Sequence, residues 1–238
     1  MIKIIGNGLL ARNMANLKTE RDCLIICAGV SNSSETRAAE FQREIELVTA
    51  AIEQHKELRV VYFSTCSVNQ AVYTPYIDHK RAMEKRVSSL AAEWCIYRLP
   101  QVVGVVNNST LISYIVRSIL QNNTLKIQLN AGRRLIDIDD VVRVCGRLLN
   151  ANQGVNTVQN IAPYHAASVV QIVERIAFGL GKEPQYEGID AGESYEVDIR
   201  SLIDFMGAED VIFTEDYWCR VLDKYIPLLK SASALGAV

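Results

Sequence analysis

Apolar and polar positions along the chain fall into blocks whose period switches repeatedly between strand and helix. The apolar run Ile2–Ile5 predicts a strand, and Gly6-Asn7-Gly8 predicts a tight turn after it. Leu9, Leu10, Met14 and Leu17 have helical spacing, so a helix is expected over 9–17. Leu24–Ala28 reads as a buried strand ending in Ala28-Gly29, and 34–55 as a long helix with Phe41, Ile45, Val48 and Ile52 on one face. Arg59–Phe63 predicts a third strand, closed by Ser64-Thr65. Thr74-Pro75 is a helix start, an N-cap followed by proline at the first helical position, and the helix should run to about Ala92. Further strands are expected at Cys95–Leu99, Leu125–Leu129 and Thr157–Ile161, with helices at Leu111–Leu120, Asp139–Asn150 and Ser168–Leu180. The tail from Lys230 has no periodicity and is expected to fray.

Strands alternating with helices of this length predict an α/β fold, a Rossmann-like doubly wound parallel sheet. The 238 residues are read as a single domain, 1–238, with no repeat or linker. The pattern loosens after Val105. Segments within 105–135 and 160–230 are expected to form a small C-terminal substrate lobe over the carboxyl ends of the strands, where such sheets bind ligands.

Charge and cysteine usage narrow the partners. The net charge of −2, without a basic tract, argues against nucleic acid. No apolar run reaches the length of a membrane span, and the N-terminal run is too short for a signal sequence, so a cytoplasmic protein is expected. The six cysteines show no zinc-site spacing, and several sit inside apolar runs. They read as small buried hydrophobes, and no metal site is expected.

Two patterns carry chemistry. Gly6-Asn7-Gly8-Leu9-Leu10-Ala11 fits G-x-G-x-x-A directly after a strand. Gly6 allows the turn, Gly8 lets backbone approach a diphosphate, and Ala11 allows close helix–strand packing. A plain strand–turn–helix link would also need glycine there. Tyr76-Ile77-Asp78-His79-Lys80 is Y-x-x-x-K on a predicted helix, which puts phenol and ammonium on one face. An ammonium beside a phenol favours the phenolate and suits it to proton transfer at a carbonyl/alcohol carbon. The pattern alone arises by chance in a chain with ten tyrosines. Its context is Ser64-Thr65 at the end of the preceding strand, which offers a hydroxyl to the same crevice. Read blandly, Thr65 is a turn hydroxyl, Tyr76 a half-buried ring and Lys80 a solvated charge.

Together these residues resemble the extended short-chain dehydrogenase/reductases, which include nucleotide-sugar epimerases, dehydratases and ketoreductases. Leu24–Gly29, Ser64-Thr65, Tyr76/Lys80 and Glu84 match family positions in order. Tyr97–Gly104 is similar to the family's R-L-x-x-V-x-G segment, Arg133–Asp140 to R-x-x-I-x-V-x-D, and Asn160-Ile161-Ala162 to a later Asn-Ile-Ala turn. The resemblance implies that Thr65, Tyr76 and Lys80 are catalytic. It implies NAD or NADP held by Gly6, Asn7, Gly8, Leu9, Leu10, Ala28, Gly29, Ser64, Tyr76, Lys80 and Pro100. Thr65, Cys66 and Arg133 would bind the substrate, a nucleotide-linked sugar, with the Arg133 guanidinium on phosphate oxygens. Arg133 is equally readable as a surface charge, and Asp140 as a helix-start residue.

The chain departs from the family in two places. Only 15–22 separate the first helix from what aligns as the family's fourth strand, so the second and third strands are missing. One outer side of the sheet is thereby shortened and the first strand becomes an edge, which suggests a homo-oligomer. The acidic or basic residue that normally holds the cofactor ribose at the end of the second strand is lost as well. Either the cofactor binds with exposed adenine, or a partner subunit supplies the wall, or the site is unused. In addition, Cys66 and Ser67 stand where the dehydratases carry an Asp-Glu pair, which counts against dehydration. The expected activity is an NAD(P)-dependent oxidoreductase or epimerase at a keto/hydroxyl carbon of a nucleotide-linked sugar. The alternative is a non-catalytic regulatory protein that keeps the scaffold and binds a nucleotide or nucleotide sugar.

Overall fold

The strand-forming runs of the first hundred residues pair side by side in one parallel sheet. The structure, a computed structural model, describes residues 1–105 and 110–234. In chain order the elements are β1 (Ile2–Ile5), α1 (Leu9–Met14), β2 (Cys23–Ile26), α2 (Ala38–Gln54), β3 (Arg59–Thr65), α3 (Pro75–Leu90) and β4 (Trp94–Leu99). There follow β5 (Gln101–Val103), α4 (Leu111–Leu120), β6 (Leu125–Gln128), β7 (Gly132–Arg133), β8 (Leu135–Asp137), α5 (Ile138–Asn150) and β9 (Thr157–Asn160). Last come β10 (Ala167–Ser168), α6 (Val169–Leu180), β11 (Tyr186–Ile189), α7 (Arg200–Met206) and α8 (Tyr217–Ala234).

These elements divide into two compact units. The first comprises 1–99, 138–161 and 197–202, and its sheet has the order β1-β2-β3-β4-β9, parallel throughout. Strand alternation sends Leu24, Ile26, Val60, Tyr62 and Ile96 to one face, where they meet Val48, Ala51 and Ile52 of α2 and Met83 and Val87 of α3. The opposite face carries Cys23, Cys95 and Tyr97, close to Cys145 of α5. On that side α1 packs against α5, and the Leu17 side chain lies against Gly146.

This arrangement fixes the handedness of the connections. The strands β1, β2, β3 and β4 lie side by side in chain order, so each link steps the same way across the sheet. The α2 and α3 links use one face and the α1 link uses the other, so the α1 link has the opposite hand. Parallel crossovers nearly always share one hand, because a right-twisted strand and a right-handed helix pack back onto the sheet only that way. The exception falls at α1, and β1 stands at the sheet edge.

Local signals account for the helix ends. The Thr74 hydroxyl accepts the Ile77 amide at 3.2 Å and Pro75 opens α3. The first helix is shorter than its apolar spacing predicts. It ends at Met14 because Asn16 and Leu17 turn their amides back onto the carbonyls three residues earlier, yet Leu17 stays buried.

The second unit comprises 100–137, 162–196 and 203–238. It holds the parallel pairs β5–β8 and β6–β11 and the antiparallel pair β7–β10. Helices α4, α6 and α8 pack on one another, with Ile112, Ile115, Val116, Ile172, Ile176 and Leu222 buried. Capping boxes Thr110/Ser113 and Ser168/Gln171 start α4 and α6. The chain stays helical through residue 234, and the rest of the tail lies outside the described residues.

Candidate active site

The turn after β1 is tight on one side and open on the other. Gly6 has φ +124°, and a Cβ there would lie 3.0 Å from Ala28 N and Cys27 C. No side chain fits against that backbone, so glycine is required by the close approach of the turn to the end of β2. A Cβ on Gly8 would meet nothing within 4 Å. Gly6, Asn7 and Gly8 are exposed, Leu9 and Leu10 half-buried, and no side chain caps the start of α1.

At the end of β3, Thr65 is half-buried and extended. Its Oγ1 accepts the Ser67 amide at 3.1 Å and so caps the short turn over 66–69. This is the turn role expected on the bland reading, and it leaves the hydroxyl proton available to a substrate oxygen. Cys66 is fully buried, with its Sγ donating to Arg98 O at 3.4 Å. Ser64 also turns inward and donates to Glu84 Oε1 at 2.5 Å. Glu84 in turn holds Arg98 through two bonds of 2.8 and 2.6 Å. That bond to Glu84 raises the Arg98 pKa further, against the opposing effect of burial.

The helical spacing of Tyr76 and Lys80 brings them together on α3. Both are buried, and the Lys80 ammonium lies 6.0 Å from the centre of the Tyr76 ring. The lysine is therefore no solvated charge. Its Nζ donates to Glu44 Oε1 at 2.8 Å and to the Tyr62 hydroxyl at 3.2 Å.

Glu44 is the residue that sequence reasoning missed. It sits on α2, only 1% exposed, and its carboxylate collects four donors. Oε1 takes the Tyr62 hydroxyl at 2.6 Å and Lys80, while Oε2 takes Val30 N at 2.7 Å and His79 Nε2 at 2.9 Å. His79 must carry its proton on Nε2 to make this bond, and its ring stacks on Phe41 with centroids 4.6 Å apart. Burial pushes the Glu44 pKa up, but the bonds from His79, Lys80 and Tyr62 outweigh it and hold the carboxyl at about 2. Burial first, and then the neighbouring Glu44 charge, push the Tyr62 phenol well above its ordinary range. Nothing in the sequence separates Glu44 from the other glutamates of α2, at 40, 46 and 53.

The remaining predicted residues fall elsewhere. Ala28 and Gly29 are half-buried at the end of β2, and Gly29 backs directly onto Glu44. Pro100 and Arg133 belong to the second unit. There Arg133 lies on β7, part-buried, with Nη1 donating to Gly132 O at 2.8 Å. Asp140 pairs with Arg143 at 2.8 Å in the first turn of α5, in keeping with a helix-start role. Among the described residues no cluster of His, Cys, Asp and Glu could hold a metal ion, and no helix is long and apolar enough to cross a membrane.

The family model described as NAD dependent epimerase/dehydratase family matches residues 11–162. No curated protein matches the chain. Among solved structures, MoeE5 in complex with UDP-glucose and NAD is 21% identical, with a TM-score of 0.74 over 97% of this chain and 86% of that one. RMD from Pseudomonas aeruginosa, complexed with NADPH, is 19% identical, with a TM-score of 0.72 over 95% and 88% of the two chains. UDP-N-acetylglucosamine 4-epimerase from Methanobrevibacter ruminantium is 17% identical, with a TM-score of 0.71 over 95% and 82%. At these identities the likeness establishes the Rossmann-type fold.

Proposed function

Because this chain belongs to the NAD dependent epimerase/dehydratase family, we propose that it is an NAD(P)-dependent oxidoreductase or epimerase acting on a nucleotide-linked sugar. The reaction would take place at a keto or hydroxyl carbon. The observation that carries the reading is the meeting of Tyr76 and Lys80 on α3, beside a β3 that ends in Thr65.

The turn over Gly6–Leu10 fits the diphosphate end of a dinucleotide, since Gly8 leaves its face open. Among the described residues no strand lies beyond β1, the sheet edge, to wall the adenosine end. When bound, the dinucleotide supplies the hydride donor or acceptor. Thr65 would donate its hydroxyl proton to the substrate oxygen, and Tyr76 would give or take the proton as the carbon changes oxidation state. Lys80 contributes a positive charge close to the phenol. Arg133, in the second unit, is the proposed contact for the substrate phosphates. The proposed setting is the cytoplasm, where six free thiols persist, and the edge strand favours a homo-oligomer.

The bare edge at β1 also favours a second reading, a regulatory protein that binds a nucleotide sugar without turning it over. Calorimetric titration with NADH and NADPH, repeated with Gly8→Trp, separates the two. Micromolar binding lost in the variant, followed by turnover of a nucleotide sugar that falls at least about 100-fold in Tyr76→Phe, supports the enzyme. A folded protein that binds neither cofactor supports the regulator.

A further inference from the structure

A carboxylate buried as deeply as Glu44 costs several kcal/mol unless its partners compensate, so its presence on an otherwise apolar helix face calls for a reason. Packing alone does not supply one, because an apolar side chain would fill the space between α2, β3 and α3 at lower cost. The four donors do. Val30 N anchors the carboxylate to the end of β2, Tyr62 to β3, and His79 and Lys80 to α3. Gly29 makes room, since a Cβ there would stand 2.6 Å from Oε1. The chain thus places a fixed negative charge 2.8 Å from the ammonium that faces Tyr76.

We propose that Glu44 is a positioning residue of this site: it locks the Lys80 ammonium in place and offsets the positive charge that Tyr76 experiences. The inference rests on the reading of Tyr76 and Lys80 as the proton-transfer pair. The groups gathered on Glu44 of α2 are Tyr62 from β3 and His79 and Lys80 from α3; of these, Lys80 and Tyr62 also lie close to Tyr76, and Glu84 of α3, paired to Arg98 of β4, lies close to Tyr62. Replacing Glu44 by glutamine raises the charge of this cluster by one. With the Glu44 charge gone, the Lys80 ammonium acts on the Tyr76 phenol unopposed and favours its phenolate.

The test needs no substrate. Protein carrying ring-labelled tyrosine is titrated by NMR, with Tyr76 assigned by its loss in Tyr76→Phe. The expected midpoint in Glu44→Gln lies about one pH unit or more below wild type. Glu44→Asp should restore part of the difference, and Lys80→Met should move the midpoint upward. An unchanged midpoint in folded Glu44→Gln, or no titration in either protein, overturns the proposal. Should Glu44→Gln fail to fold, wild-type protein gives a second readout. A lysine ammonium resonance protected from solvent exchange at neutral pH, and lost in Lys80→Arg, is expected; its absence overturns the proposal. Neither measurement depends on turnover. A shifted midpoint in a protein that binds no cofactor would sustain the role of Glu44 and refute the enzymatic reading.

Discussion

The absent side chain of Gly29 and the carboxylate of Glu44 occupy the same space: a Cβ on Gly29 would lie 2.6 Å from Glu44 Oε1 and 2.9 Å from its Cδ. The glycine is there for close packing, since no positive φ requires it. Gly29→Ala must displace a carboxylate held by four donors, all from buried residues. We expect a loss of about 2–4 kcal/mol, in the range for disturbing a buried charged network, measured by urea denaturation. Gly8→Ala, whose Cβ meets open space, should change stability by less than about 1 kcal/mol.

The same network sets an acid limit. Glu44 has a pKa of about 2 in the folded chain against 4.5 for the free group. A lowered folded-state pKa adds stability that is complete above 4.5 and drains away as pH falls towards 2. The gap corresponds to about 3 kcal/mol. Urea midpoints measured between pH 7 and pH 2 should fall across that window in wild type. In Glu44→Gln the fall should be visibly smaller.

The Ser64–Glu84–Arg98 chain is a second buried ion pair, and it predicts a different outcome. Arg98→Ala leaves the Glu84 carboxylate buried without its cation, at a cost of about 3–5 kcal/mol. The double variant Arg98→Met, Glu84→Leu removes both charges and should recover most of that loss. Guanidinium denaturation of the three proteins checks both statements.

Five of the six thiols should be inert while the chain is folded. Burial pushes Cys27 up to about 12 and raises Cys23, Cys95 and Cys145 as well, while Cys66 has no exposed surface. Thiolate is the reactive form, so a thiol reagent at neutral pH should modify these five only on the timescale of unfolding. Rapid stoichiometric labelling of Cys66 in native protein would contradict its burial.

The main sheet was readable because its signals are local. Apolar runs marked each strand, and Thr74-Pro75 marked α3 by its own cap chemistry. The i, i+4 spacing was enough to bring Tyr76 and Lys80 together. Glu44 was not readable, because its partners at 30, 62, 79 and 80 meet it only after three elements have packed. Sequence reading placed the buried face of α2 on Phe41, Ile45, Val48 and Ile52. The structure keeps that face inward, with Val48 and Ile52 buried and Phe41 and Ile45 half-buried, and buries Glu44 and Ala51 beside it. Beyond residue 180 the pattern gave little. The four residues of β11 are all exposed, so no alternation marks the strand, and its pairing with β6 spans some sixty residues. Helix α8, with Pro227 inside it, carries a residue that normally signals a break.

The odd-handed link through α1 bears on which insertions this chain would accept. New strands spliced in after α1, pairing with the free side of β1, would step the opposite way across the sheet. The link from β1 through α1 would then take the hand its neighbours already have, with the helix left where it is. The stretch 15–22 is the place for such a splice, being mostly exposed and tied to α5 by Asn150, which bonds Lys18 O and Glu20 N. Within that stretch only Leu17 is buried, against Gly146, so an insertion that keeps Leu17 in place would leave the packing beneath α1 as it is.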